Sequence, residues 1–94
     1  MSYAVIGIAL EILQVARRPL STSEIARIAE PELKAYEFPA YRSKMNGSLN
    51  DAAKDGHVVK LRYCDDGSSV YWTLPGQDIP IGYIPYRGRI NGQW

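Results

Sequence analysis

Five basic side chains fall between positions 41 and 63: Arg42, Lys44, Lys54, Lys60 and Arg62. Against them stand Asp51 and Asp55, so the segment is net +3, while residues 1–40 and 64–94 are each net −1. A local excess of this kind can hold phosphate groups although the whole chain is only +1. Other reactive side chains do not assemble a centre. His57 and Cys64 are the single histidine and the single cysteine, and one of each cannot build a tetrahedral metal site. As a nucleophile Cys64 would need a base, and His57 on the same strand is poorly placed for it. There is no phosphate loop, no dinucleotide fingerprint and no Ser/His/Asp set with supporting spacing. The expectation is a protein that is not an enzyme and carries no metal or cofactor.

The size and composition fit that expectation. Ninety-four residues at 46% hydrophobic make one small domain with a modest core. No run of about 18 apolar residues could span a membrane. No basic segment precedes an apolar run at the N-terminus, so no secretory signal is expected. One cysteine excludes an intrachain disulfide and fits a reducing cytoplasm.

Hydrophobic spacing supplies the elements. Ala4, Val5, Ile8, Ala9, Ile12, Leu13 and Ala16 predict a helix over 3–16, closed by Pro19. Arg17 and Arg18 suit its C-terminal end. Ser21-Thr22-Ser23-Glu24 reads as a capping box for a short helix carrying Ile25, Ile28 and Ala29. Residues 30–41, bracketed by Pro31 and Pro39, read as an irregular connector, with one helical turn at 32–36. A third helix from 41 or 42 to 55 buries Met45, Leu49, Ala52 and Ala53, and Gly56 supplies its left-handed stop. A hairpin follows, in which Val59, Leu61 and Tyr63, then Val70, Trp72 and Leu74, flank a turn at Asp65-Asp66-Gly67. The alternation predicts one face over the helices and an outer face showing Lys60, Arg62 and Tyr71. From Pro75 the prolines and glycines multiply, and residues 76–94 read as an extended tail rather than another element. Ile, Tyr and Trp make that tail too apolar for a solvated linker, so it should pack on the domain or on a partner subunit. Tyr83, Tyr86 and Trp94 are its candidate interface anchors.

The order of these elements resembles the winged helix-turn-helix superfamily. The residues that carry it are Ile12-Leu13, the run 18–26, Leu49 with Asp55-Gly56-His57-Val58, and Val70-Tyr71-Trp72-Thr73-Leu74. The run 18–26 is similar to the start of the second helix in winged-helix regulators and HARE-type helix-turn-helix modules. The resemblance implies an α+β winged helix-turn-helix over residues 1–75, with three helices and a C-terminal β-hairpin wing. It implies double-stranded DNA as partner, with the third helix in the major groove and the wing on the flanking backbone. The groove-facing residues would be Arg42, Ser43, Lys44, Asn46, Gly47 and Asn50, where Arg and Lys suit guanine edges or phosphate and Asn suits adenine. Lys60 and Arg62 would hold phosphates from the wing. A transcriptional or genome-maintenance regulator, possible as a homodimer, follows from this. Asp65 and Asp66 at the wing tip would repel phosphate, which favours a rival reading. In that reading the scaffold is a protein-interaction module, such as a phage-type inhibitor or adaptor of a host protein, docking through the acidic wing and the tail.

Overall fold

The computed structural model describes residues 2–64 and 66–86. In chain order the elements are α1 (Ser2–Ala16), β1 (Leu20–Ser21), α2 (Thr22–Ala29), α3 (Phe38–Lys54), β2 (Val59–Tyr63), β3 (Asp66–Thr73) and β4 (Tyr83–Pro85). This is an α+β domain: three helices against a four-stranded antiparallel sheet of order β1-β3-β2-β4.

Local chemistry sets the helix ends. α1 stops at Arg17, whose left-handed backbone (φ 56°) lets its N–H reach the Leu13 carbonyl at 3.0 Å. The Ser21 hydroxyl accepts from the Glu24 amide at 3.1 Å, and the Glu24 carboxylate accepts from the Ser21 amide at 2.8 Å, so the expected capping box is present. At the end of α3 the His57 amide donates to the Ala52 carbonyl (2.9 Å) and the Gly56 amide to the Ala53 carbonyl (3.1 Å). With Gly56 at φ 82°, this is a Schellman stop.

α3 begins earlier than its apolar spacing suggests, at Phe38, with Pro39 in its first turn. Proline opens a helix well, because the amide it lacks would have no partner there anyway. The connector therefore shortens to 30–37, tightened by Glu37, whose amide donates to the Lys34 carbonyl at 2.9 Å and whose carboxylate accepts from the Lys34 amide at 2.9 Å. Phe38 is buried, and the Arg27 guanidinium sits 4.0 Å over its ring centre.

Two strands escape the sequence pattern. Leu20 and Ser21 pair with Trp72 and Tyr71, adding β1 to the sheet. In the segment expected to be an extended tail, Tyr83, Ile84 and Pro85 pair with Tyr63, Arg62 and Leu61. Pro85 is tolerated because β4 is an edge strand, where one missing donor costs little. The turn into β4 requires Gly82: its φ is 103°, and a Cβ there would lie 2.5 Å from the Tyr63 ring. The described part of the tail thus packs on its own domain.

The register also corrects the expected faces of the hairpin. Lys60 lies opposite Trp72, and Leu61 lies opposite Tyr71 and Pro85. Directly opposed residues share a face. Lys60 and Arg62 therefore sit on the Trp72 side, toward the helices, and Leu61 on the outer side. Leu61 is nonetheless fully buried, flanked on its own face by Tyr71 and Pro85. The main core joins Ala9 and Leu13 of α1, Leu20, Ile25 of α2, Met45, Leu49 and Ala52 of α3, Val58 and Trp72.

Candidate functional site

Arg42, Ser43 and Lys44 are exposed, on the N-terminal half of α3. The burial of Met45, Leu49 and Ala52 fixes how that helix is rotated. Each residue turns the helix by about 100°, so Ser43 points away from the core and Arg42 and Lys44 project to opposite flanks. Gly47, one turn beyond Ser43, has open space where a side chain would stand. After Glu37, this half of the helix holds no carboxylate until Asp51.

Arg42, Ser43 and Asn46 meet Thr22 around a shallow hollow at the start of α2. The first amides of a helix have no acceptor within it, and they carry the positive end of its dipole. The capping box occupies the Glu24 amide. The hollow therefore combines a guanidinium, a hydroxyl and a helix N-terminus, a set that favours an anion.

Asn46, Asn50 and Lys60 belong to a different arrangement. The Trp72 indole Nε1 donates to Thr22 Oγ1 at 2.8 Å. Thr22 Oγ1 lies 3.2 Å from Asn46 Oδ1 and donates to it. Asn50 Nδ2 donates to the Asn46 carbonyl at 2.9 Å, and Lys60 Nζ donates to Asn50 Oδ1 at 2.9 Å. This chain of bonds links β3, α2, α3 and β2. The Lys60 ammonium also lies 4.8 Å from the Tyr86 ring centre and 5.8 Å from that of Trp72. Burial holds its pKa below the ordinary lysine value. Arg62 is half-buried on the same face, between Val70 and Ile84. Sequence reasoning missed Thr22, which read only as part of a capping box. No local signal says that a threonine at the head of α2 will meet an indole on β3.

The outer face of the sheet carries Tyr63, Tyr71 and Tyr83. Tyr83 meets Tyr63 edge to face at 5.0 Å and Tyr71 at 5.2 Å. Burial, then the neighbouring Tyr71, Glu24 and Tyr63, raise the Tyr83 phenol's pKa, against a smaller opposite pull from Arg18. Tyr83 and Tyr86 are half-buried. Trp94 and Asp65 lie outside the described residues, and Asp66 opens β3 opposite Tyr63. Cys64 is exposed. Among the described residues no group of three His, Cys, Asp or Glu could hold a metal ion, and no helix is long and apolar enough to cross a membrane.

Compared with known proteins, the chain matches no family model, no curated protein and no solved structure.

Proposed function

We propose that the chain is a winged-helix DNA-binding protein whose α3 lies in the major groove. The observation that carries the reading is the hollow formed by Thr22, Arg42, Ser43 and Asn46 at the start of α2. A backbone phosphate seated there would meet the Arg42 guanidinium and the first amides of α2. Lys44, on the opposite flank of α3, would reach the phosphates across the groove. Between them Ser43 and Gly47 form a low ridge that lets the helix approach base edges closely. Asn46, Asn50 and Lys60 then serve mainly to hold α3 at its angle to the sheet, and Lys60 contributes charge from a fixed position. Arg62 adds a cation toward the wing.

Replacing Arg42 with alanine should weaken binding to a mixed-sequence duplex and lower the salt slope by about one, as one lost phosphate contact does. Lys44→Ala should do the same independently. An unchanged salt slope in both would refute this face.

The rival reading, a protein-interaction module, draws on Ile79 and Ile81, which are 40% and 99% exposed in the loop before β4. Deleting residues 76–94 would not separate the readings, because it removes an edge strand. Ile81→Asp leaves the fold intact and tests them: DNA binding should survive it, whereas capture of a protein partner through this loop should not.

A further inference from the structure

Thr22 and Asn46 belong both to the hollow beside α2 and to the chain of bonds that starts at Trp72. Protons along that chain run one way. An indole nitrogen can only donate. Thr22 Oγ1 therefore accepts from Trp72 Nε1 at 2.8 Å and turns its own proton to Asn46 Oδ1 at 3.2 Å. This bond assigns the two ends of the Asn46 amide. Oδ1 faces the buried Thr22, and Nδ2, with two protons, is left for other partners. Among the described residues nothing accepts from Nδ2, and the Arg42 guanidinium and Ser43 hydroxyl at the same hollow are also unbonded there. The hollow measures about 230 Å³, and no carboxylate lines it.

We propose that Asn46 holds a phosphodiester oxygen of the duplex through Nδ2, together with Arg42, and does not read adenine. Hydrogen-bonding chemistry is the first reason. An adenine edge engages both ends of an asparagine at once, one as donor and one as acceptor. Here Oδ1 already accepts from Thr22, and only Nδ2 is unengaged. A phosphodiester oxygen only accepts, and the hollow meets it with an amide, a guanidinium and a hydroxyl. Position is the second reason. Asn46 follows Arg42 by four residues, so the two share one flank of α3, apart from the ridge of Ser43 and Gly47 that faces the base edges. Thr22 is then a positioning residue: its hydroxyl, oriented by the Trp72 indole, keeps the Asn46 amide turned with Nδ2 outward. The phosphodiester as ligand rests on the DNA-binding reading of α3, whereas the orientation of the amide does not.

The test titrates two labelled duplexes of equal length, one all A·T and one all G·C, with the full chain, using circular dichroism as the folding control. Asn46→Asp keeps an oxygen for Thr22 but turns a negative oxygen toward the ligand, so it should fold like wild type and lose about a hundredfold in affinity for both duplexes. Asn46→Ala should lose about tenfold on both. Its salt slope should not change, because a neutral donor releases no counterion, unlike Arg42→Ala. Thr22→Ser, which keeps the hydroxyl, should bind both duplexes as wild type does, and Thr22→Val should bind both more weakly. A loss confined to the A·T duplex, or an Asn46→Asp variant that binds like wild type, would overturn the proposal and leave the DNA-binding reading standing. A wild type that binds neither duplex would overturn that reading instead, and inorganic phosphate then decides the contact. A saturable shift of the Asn46 side-chain amide in heteronuclear NMR, lost in Arg42→Ala, would sustain an oxyanion contact at Nδ2. No shift would overturn it.

Discussion

Arg42 and Lys60 belong to the same basic segment, yet the fold treats them in opposite ways. Arg42 stands exposed beside the start of α2, with Ser43 and Thr22 around it. Lys60 is turned inward on β2, bonded to Asn50 and set between the Trp72 and Tyr86 rings. The difference teaches that a cluster of cations in sequence need not be a cluster on the surface. One half of the segment is available to a ligand. Lys60, in the other half, ties β2 to α3 through Asn50.

Substitutions within the bonded network should break this contrast most visibly. Trp72 is fully buried, and Trp72→Ala should cost about 3–5 kcal/mol, enough to threaten a domain of this size. Thermal and urea melts check this. Thr22→Val keeps the shape but strands the indole N–H, so a loss of about 1–3 kcal/mol is expected. If Thr22→Val melts like wild type, the network does not hold the fold together. Arg42→Ala, by contrast, should change stability by less than about 0.5 kcal/mol while lowering DNA affinity, because its effect is on the surface. A variant that loses both together would erase the distinction between the two regions.

A smaller effect should appear at alkaline pH. Tyr41 and Tyr83 have phenols whose pKa is raised in the folded state. The unfolded chain therefore loses these protons first, and stability should fall as pH rises from about 10 through the folded-state values. Lys60 works in the other sense: its folded pKa is lowered, so the folded state sheds that proton earlier and regains stability as pH approaches the ordinary lysine value. Tyr83→Phe should soften the alkaline loss, and Lys60→Met should steepen it. Urea midpoints measured across that range would show a flat response if neither group is coupled to folding.

Much of the helical layer was legible in the chain. The capping box at Ser21 and Glu24, the Gly56 stop and the Met45, Leu49, Ala52 stripe are local signals, and local signals act through hydrogen bonds and sterics a few residues apart. The start of α3 was harder, because Pro39 reads equally as the end of a connector and as the first turn of a helix. The sheet was harder still. β1 has two residues, too few for any periodicity, and β4 sits among prolines that argue against a strand until its edge position is known. The facing of Lys60 was misread for a related reason. The apolar residues of β2, Val59, Leu61 and Tyr63, lie on the outer face, where β4 and the tyrosines cover them, so alternation alone cannot say which side meets the helices. Of the candidate site, Arg42, Ser43 and Lys44 were recognisable as surface residues. The engagement of Asn46, Asn50 and Lys60 depended on partners up to 24 positions away, and on a Thr22–Trp72 bond that spans 50.

The most direct test of the central claim is a fluorescence-anisotropy titration of a labelled mixed-sequence duplex with the full chain, at low and physiological salt, beside the Arg42→Ala/Lys44→Ala double variant. Salt-sensitive binding by the wild type, with a weaker and flatter salt response in an equally stable double variant, is the predicted result. Absence of binding at low salt, or equal binding by the two proteins, would contradict the account.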